Sequence, residues 1–218
     1  MHDTTLLRLH DVAHAFDYPL FTEVSFTLLA GESMAITGRS GSGKSTLLHI
    51  ASGFLTPQQG TVTLLGQELY DADAKTLERI RRYDVGVVFQ SHYLFKGMSG
   101  KENIEAACLL TGTDVDAWLL EKLAIADVID QPVASLSGGQ QQRVSVARVL
   151  AKRPRLIFAD EPTGNLDNET AALVMDALSA YIARNDAALM LVTHDETLAA
   201  RCSKRYRLSD CRLRKEVR

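Results

Sequence analysis

A glycine-rich stretch at residues 34–50, MAITGRSGSGKSTLLHI, has the residue types and spacing of a phosphate-binding loop. Its centre, GRSGSGKS at residues 38–45, fits the pattern G-x-x-x-x-G-K-[ST]. Glycine lets the backbone take turns that a Cβ would forbid, so that consecutive N–H groups can point at one anion. The phosphate contacts predicted for this stretch are Gly38, Arg39, Ser40, Gly41, Ser42, Gly43, Lys44, Ser45 and Thr46.

The residues around this loop predict a strand before it and a helix after it. An apolar run at residues 34–36 is typical of a buried strand, and Leu47 and Leu48 lie on the inner face of a helix that begins near Lys44. The N-terminus of that helix adds about half a positive charge, aimed at the same phosphates. We expect Lys44 to reach the β- and γ-phosphates of a nucleotide and the Ser45 hydroxyl to hold Mg²⁺. The alternative, a Gly/Ser turn without a ligand, leaves the flanking strand and helix unexplained.

A second stretch, LSGGQ at residues 136–140, combines an N-cap serine with two glycines. Taken alone, it predicts another helix start whose first N–H groups can bind an anion.

The overall composition is that of an ordinary globular protein. At 218 residues, the chain is long enough for one domain, or for one domain with a subdomain. Its 24 Lys and Arg residues against 27 Asp and Glu give a net charge of −3, so no global field attracts nucleic acid. Cys108, Cys202 and Cys211 are widely spaced and lack metal-ligand spacing. This pattern favours a reduced cytosolic setting, and we assign these cysteines no chemistry.

The chain has no apolar run long enough to span a bilayer, which takes about 18 residues or more. Asp3 and Asp11 lie where a signal peptide would be basic and then apolar, so any membrane role is expected to come through a partner. Residues 201–218 carry eight basic side chains against two acids. This segment is either attracted to an anionic membrane surface or acidic partner, or it is a solvated edge strand and tail, which we favour.

The apolar pattern along the chain predicts the elements that position these motifs. Strands at residues 6–16 and 21–29, and a hairpin of residues 61–65 and 68–69 that turns at Gly66-Gln67, open an antiparallel β layer. The alternation typical of a parallel α/β sheet follows, with strands at residues 85–89, 155–160 and 187–193 and helices at 75–83, 140–152 and 168–184. Residues 101–129 have a helical period without a strand pattern, which predicts a small helical subdomain with Trp118 in its core.

With both motifs in place, the sequence resembles the ATP-binding cassette (ABC) ATPases, whose signature is LSGGQ. The resemblance implies an α/β P-loop NTPase fold of ABC type: a mixed central sheet with helices, an antiparallel β layer and a helical subdomain. It implies one ABC ATPase domain over residues 1–218, with the ATP-binding core at residues 1–90 and 136–218 and the helical subdomain at about 91–135. The family binds ATP with Mg²⁺ and hydrolyses the ATP.

The resemblance extends along the chain in the family's motif order. The run LIFADE at residues 156–161 looks like the Walker B strand. Its four apolar residues bury a central strand, and two carboxylates emerge at the C-terminal end, where an α/β sheet places its ligand. Asp160 would bind Mg²⁺ directly or through water, and Glu161 would polarise the attacking water.

Other family positions follow in the same order. PTGNLD at residues 162–167 is similar to the D-loop, which makes Asp167 a candidate nucleotide contact, and Gln90 matches the Q-loop glutamine. His194 matches the switch histidine that contacts the γ-phosphate. Phe16 stands where the family carries an aromatic residue that stacks on adenine, although Tyr18 is nearby and either ring could instead be packing. The predicted catalytic residues are Glu161, His194, Lys44 and Gln90, and the predicted metal ligands are Ser45, Gln90 and Asp160.

The family's architecture also predicts partners. Two cassettes meet head to tail, and each ATP lies between one phosphate-binding loop and the other subunit's signature. The resemblance therefore implies a homodimer, or a heterodimer with a second cassette, in which Ser137, Gly138, Gly139 and Gln140 contact ATP held by the opposite subunit. It further implies an integral membrane permease as partner, no nucleic acid, and a peripheral location on the cytoplasmic face of the cell membrane.

Within the family, PTGNLD beside LSGGQQQR is most similar to the ATPases of lipoprotein-release, macrolide-export, antimicrobial-peptide-resistance and cell-division systems. This predicts export or mechanotransmission. Two alternatives stay open: a regulatory ATPase of a cell-division-type membrane complex that moves no solute, and a soluble ABC ATPase outside transport. A soluble ABC ATPase usually has two cassettes in one chain or a long coiled-coil insertion, and this sequence has neither.

The segment after Gln90, SHYLFKGMSGKENI, lacks the Leu-Leu-Pro that many relatives carry where the membrane partner docks. Its Tyr93, Leu94, Phe95 and Met98 put large apolar side chains in a glycine-containing loop, which predicts an exposed surface that receives the permease. The alternative is that these side chains pack onto the helical subdomain.

Overall fold

The computed structural model describes residues 5–164 and 166–216. Asp3 of the N-terminal prediction, Asn165 of the D-loop prediction and Arg218 of the basic segment therefore lie outside the described residues. The strands are β1 (Thr5–Ala15), β2 (Pro19–Leu29), β3 (Ser33–Thr37), β4 (Gln59–Leu64), β5 (Gln67–Glu68), β6 (Val85–Val88), β7 (Leu156–Asp160), β8 (Ala188–Val192), β9 (Lys204–Ser209) and β10 (Arg212–Lys215). The α-helices are α1 (Lys44–Ala51), α2 (Ala74–Arg79), α3 (Gly100–Thr111), α4 (Ala117–Lys122), α5 (Gly138–Ala151), α6 (Asn168–Asn185) and α7 (Glu196–Ala199). A π-helical segment, Ile80–Asp84, continues α2, and a short 3₁₀ helix spans Val133–Ser135.

The described strands form two sheets. An antiparallel sheet has the order β2-β1-β4-β5, and a larger sheet has the order β10-β9-β3-β8-β7-β6. Neighbours from β9 to β6 pair in parallel, with Ala35 opposite Leu191 between β3 and β8, whereas β10 pairs antiparallel with β9 at the edge. The predicted mixed central sheet and antiparallel layer are both confirmed.

The central strands bury both of their faces. Phe158 and Met190 pack with α1 and the antiparallel sheet, whereas Ile157 and Leu191 pack with α3, α4, α5 and α6. Because alternate residues of β7 and β8 meet two different cores, both strands are continuously apolar. Because β3, β8 and β7 run parallel, their carboxyl ends lie at one edge of the sheet. The residues that follow these strands are therefore placed close together.

The helical stretch after β6 is more interrupted than its sequence period predicts. Helix α3 ends at Thr111, and its C-cap Gly112 takes a left-handed conformation with φ of 69°. Helix α4 begins after Asp116, whose side chain accepts a hydrogen bond from Trp118 N. The Trp118 indole packs against the core, with the Arg184 guanidinium 4.5 Å from the centre of its ring. The division between an ATP-binding core and a subdomain at residues 91–135 stays a prediction.

Several predicted element boundaries differ from the structure by one or a few residues, and two of these differences have a clear local cause. The hairpin between β4 and β5 turns at Leu65-Gly66 rather than Gly66-Gln67, because these two residues have φ values of 53° and 80°, the left-handed geometry that a tight hairpin turn needs. Helix α5 begins at Gly138 rather than Gln140, because Ser137 and Gln140 form a capping box that includes both glycines in the helix.

The basic C-terminal segment forms the edge hairpin β9–β10. Arg207 pairs with Glu196 and Glu216, each at 2.7 Å, and Lys204 pairs with Glu32 at 2.5 Å. These pairs within the chain support the edge-strand interpretation over a free basic patch. Among the helices that the structure describes, none combines the length and the apolar character needed to cross a bilayer.

Candidate functional site

The predicted phosphate-binding loop connects β3 to α1, and its shape requires glycine. Gly38 has φ of 152°, and a Cβ at this position would lie 2.5 Å from the carbonyl oxygen of Leu208. Gly43, the N-cap of α1, has φ of 94° and is packed closely against Leu20 and Phe21. A side chain at either glycine would meet both a left-handed backbone and a close neighbour.

Lys44 reaches back across the loop. Its ammonium donates hydrogen bonds of 2.9 Å to the carbonyl oxygens of Gly38 and Arg39, and the residue is only 8% exposed. An ammonium has three donors, so one remains for a group bound in the loop.

Ser45 and Asp160 place two oxygen atoms side by side. The Ser45 hydroxyl donates a hydrogen bond of 3.0 Å to Oδ1 of Asp160, which ends β7. Burial raises the pKa of Asp160 above its usual range, although the hydrogen bond from Ser45 acts in the opposite direction. A hydroxyl and a half-buried carboxylate are the hard oxygen ligands that Mg²⁺ prefers, and a cation would offset the cost of the buried charge. The donor set therefore fits Mg²⁺.

Glu161 is held by the end of the neighbouring strand β8. Its Oε2 accepts a hydrogen bond of 3.2 Å from the Thr193 hydroxyl, and its Oε1 lies 2.9 Å from Nδ1 of His194. The backbone of Glu161 is left-handed, with φ of 46°, and its N–H donates to the carbonyl of Val192. Such a conformation costs about 1–3 kcal/mol in a non-glycine residue and is typical of functional sites.

One cavity of about 460 Å³ collects most of the predicted site. Its lining contains Phe16, Tyr18, Leu20, Ser40, Gly41, Gly43, Lys44, Ser45, Thr46, Gln90, Glu161 and His194. Catalytic, phosphate-binding and aromatic candidates from distant parts of the sequence thus meet around one space.

Both aromatic candidates line this cavity. Phe16 is 63% exposed and Tyr18 is 59% exposed, so neither ring is buried in the core. The buried His14 ring lies nearly perpendicular to the Phe16 ring, with the ring centres 5.0 Å apart. Both rings are therefore accessible to a planar group bound in the cavity.

Other predicted contacts lie outside that cavity. Gly38, Arg39 and Ser42 line a second cavity of about 510 Å³ beside the β9–β10 turn. Gln90 does line the main cavity. Its amide also lies close to the turn after Glu161, where a Cβ added at Gly164 would lie 3.1 Å from Gln90 Nε2.

The predicted signature begins helix α5 on the surface. The Ser137 hydroxyl accepts a hydrogen bond of 3.2 Å from Gln140 N, and Gln140 Oε1 accepts one of 2.8 Å from Ser137 N. Ser137 and Gly138 are exposed, and none of residues 137–140 lines the main cavity. Within one protomer, the Gln140 side chain is therefore part of the capping box that stabilises the N-terminus of α5.

Asp167 is the N-cap of α6, again outside the cavity. Its carboxylate accepts hydrogen bonds of 2.8 Å from both the N–H and the hydroxyl of Thr170, and the N–H of Thr170 is the main reason that the pKa of Asp167 is lowered. The Thr170 methyl lies 3.3 Å from where a Cβ of Gly139 would be. Asp167 is thus linked through Thr170 to the signature, and it does not line the main cavity.

The sequence interpretation missed several residues of the site. Thr193 is 1% exposed, holds Glu161 and also accepts a hydrogen bond from Asp195 N. Leu20 lines the main cavity, and the buried Gln142 donates hydrogen bonds to the carbonyl oxygens of Phe89 and Pro162, the chain neighbours of the cavity residues Gln90 and Glu161. The position of Thr193 at the end of an apolar strand, next to His194, was an available signal. For Leu20 and Gln142 the sequence offers none.

The predicted surface after Gln90 is exposed only in part. Tyr93, Phe95 and Met98 are 68%, 56% and 40% exposed, but Leu94 is half-buried and packs against the core. The prediction that Leu94 belongs to this surface is corrected accordingly, because its side chain has a local core to fill.

Comparison with known proteins gives a family match. A family model described as ABC transporter matches residues 21–164. The chain is similar to the lipoprotein-releasing system ATP-binding protein LolD 1 of Caulobacter vibrioides, with 42% identity over 202 residues, covering 89% of this chain and 86% of that protein. It is also similar to the uncharacterized ABC transporter ATP-binding protein YbbA of Escherichia coli K12, with 41% identity over 204 residues, 91% of this chain and 90% of that protein.

Solved structures give the same match in three dimensions. A dimeric structure of a post-hydrolysis state of the ATP-binding cassette MJ0796, bound to ADP and Pi, has a TM-score of 0.84 and 30% sequence identity. The alignment covers 97% of this chain and 98% of that one.

Proposed function

The chain belongs to the ABC transporter family and is an ATPase, and we propose that it dimerises on ATP to drive a separate integral membrane permease. The observation that carries the proposal is the position of Glu161. Its carboxylate is fixed by Thr193 and His194 in the cavity that Lys44 and Ser45 also line, beside the Ser45–Asp160 pair.

Each residue has a role in hydrolysis that its contacts support. Lys44 and the N–H groups of the loop bind the β- and γ-phosphates, and Glu161 orients and polarises the attacking water. His194 holds Glu161 and lies beside the γ-phosphate. Mg²⁺, held by Ser45 and Asp160 with Gln90 nearby, supplies charge neutralisation when bound. Phosphoryl transfer to water needs little beyond this positioning and charge stabilisation.

The exposed signature supports a composite site. Ser137 and Gly138 lie outside the cavity of their own chain, with the Ser137 hydroxyl hydrogen free to donate because the oxygen is the acceptor in the cap. We infer that residues 137–139 complete the site of an opposite subunit, with the Asp167 turn beside them. The γ-phosphate then joins the two subunits, and its loss releases them. The solved MJ0796 structures are dimeric, which supports this arrangement.

The partner is proposed from the relatives. LolD 1 of Caulobacter vibrioides is named as the ATP-binding protein of a lipoprotein-releasing system, which favours export or mechanotransmission over import. Accordingly, we place the chain on the cytoplasmic face of the cell membrane, attached through its permease. A regulatory ATPase that moves no solute is the second candidate, and it would share every residue of this site.

The test is a phosphate-release assay with Mg²⁺ and ATP. Glu161→Gln keeps the side-chain shape and removes the charge, so turnover is expected to fall by about 10² to 10⁴ while ATP still binds. Glu121→Gln, which changes an exposed carboxylate on α4, is the matched control and should leave turnover unchanged. Unchanged hydrolysis by the Glu161 variant would contradict the assignment.

A further inference from the structure

A buried amide lies inside the signature helix. Gln142, the fifth residue of α5, is 1% exposed, although it follows two other glutamines in the sequence. Gln140 caps the helix, and Gln141 donates a hydrogen bond of 3.0 Å to Leu136 within its own segment. Only Gln142 of the three is fully buried.

The Gln142 amide joins three segments of the chain. Its Nε2 donates hydrogen bonds to the carbonyl oxygens of Pro162, at 2.6 Å, and Phe89, at 3.3 Å. Its Oε1 lies 2.5 Å from Nδ1 of His92. The donor and acceptor ends of one side chain are therefore both used, and a buried network that is fully satisfied in this way is rigid.

Two further residues on the same face of α5 hold the same loop. The Ser145 hydroxyl donates a hydrogen bond of 2.9 Å to the His92 carbonyl. The Arg148 guanidinium donates to the carbonyls of Tyr93, at 2.7 Å, and His92, at 3.2 Å, and burial lowers the pKa of Arg148. Positions 142, 145 and 148 are three residues apart, so they form one stripe along the helix.

The partners of Gln142 are the chain neighbours of cavity residues. Phe89 precedes Gln90, and Pro162 follows Glu161, and both Gln90 and Glu161 line the cavity. The other end of α5 begins at Ser137, on the surface. We therefore expect a displacement of Gln90 or Glu161 to be transmitted through Gln142 to α5, the helix whose first turn carries the signature.

We propose that Gln142 is a positioning residue that couples nucleotide in the cavity to the orientation of residues 137–139 presented to the opposite subunit. The inference rests on the proposed ATP-dependent dimer, since only there does the signature contact nucleotide. Gln142 itself does not line the cavity, so it acts through Gln90 and Glu161.

Gln142→Glu tests the coupling with little change of shape. The glutamate keeps an oxygen near His92 but cannot donate to the two carbonyls, which lose this partner. The measurements are made in a Glu161→Gln background. We expect the affinity of dilute monomer for a fluorescent ATP analogue to change less than about twofold. ATP-dependent dimerisation should become weaker by about tenfold or more, about 1.4 kcal/mol. Gln131→Glu, which makes the same change at an exposed glutamine, is the matched control and should leave both constants unchanged.

Ser145→Ala provides a milder variant in case Gln142→Glu does not fold, and it should weaken dimerisation by about threefold with unchanged nucleotide affinity. Equal loss of affinity and dimerisation, or normal dimerisation in folded Gln142→Glu and Ser145→Ala proteins, would overturn the coupling role. Absence of ATP-dependent dimers in the Glu161→Gln parent would instead overturn the proposed function, and the coupling inference with it.

Discussion

The Ser45 hydroxyl donates a hydrogen bond of 3.0 Å to Asp160, a residue 115 positions further along the chain. The two residues meet because β3 and β7 flank β8 in the parallel sheet and end at the same edge. A helix start and a strand end thereby supply adjacent oxygen atoms beside the phosphate-binding loop. This meeting of the two motifs is the structural basis of the magnesium site proposed above.

Asp160→Asn should make the ligand-free protein more stable and weaken the binding of Mg²⁺ and ATP. Burial raises the pKa of Asp160 in the folded protein, so the ionised carboxylate costs stability as pH rises through the interval between its unfolded and folded pKa values, and the full cost is present at neutral pH. Without ligand, we expect the variant's Tm at pH 7 to be higher than that of the parent. With ATP and Mg²⁺, the variant should gain less Tm than the parent.

Thermal melts with and without Mg²⁺ and ATP measure both effects, with Glu121→Gln as control. A lower ligand-free Tm would refute the desolvation argument. An undiminished Mg²⁺-dependent gain would refute the metal assignment.

The aromatic platform can be assigned by comparing Phe16→Ala with Tyr18→Ala. Removal of the ring that stacks on adenine costs about 1–3 kcal/mol, so Phe16→Ala should weaken ATP binding by about tenfold or more. Tyr18→Ala should change affinity less than about twofold. Fluorescent nucleotide titration decides between them, and a larger loss in the Tyr18 variant would reverse the assignment.

The docking surface can be tested without disturbing the core. The Phe95 backbone is anchored to the buried Asn103 side chain, by hydrogen bonds of 2.8 and 3.2 Å, whereas its ring is exposed. Phe95→Asp should therefore fold and bind ATP normally but co-purify with the permease at least about tenfold less. Leu109→Asp changes an 84% exposed leucine farther along α3 and is the matched control.

Normal co-purification of Phe95→Asp with the permease would count against docking at this surface. An unfolded Phe95 variant would indicate that the ring belongs to the core. Leu94 is left unchanged in this experiment because it packs against the core.

The sequence was sufficient for features that depend on local geometry or on a strict apolar pattern. The phosphate-binding loop could be predicted because its left-handed, closely packed positions need glycine. The central sheet could be predicted because β7 and β8 are buried on both faces and are therefore continuously apolar. The helix boundary at Gly138 was missed because the capping box of Ser137 and Gln140 extends the helix across two glycines.

Other features depend on contacts between distant segments and leave no local pattern. Gln142 stands in a run of three glutamines, and only the approach of Phe89, His92 and Pro162 makes it different from Gln141. Leu94 was assigned to the surface because its loop offers little local core, whereas the packed fold supplies one.

In the proposed mechanism, ATP joins two copies of this subunit through their γ-phosphate contacts. Sedimentation of the Glu161→Gln protein in ATP and in ADP tests it most directly, because hydrolysis is suppressed and the two nucleotides differ only in the γ-phosphate. We predict a dimer in ATP and a monomer in ADP. The same oligomeric state in both nucleotides would contradict a dimer held together by ATP.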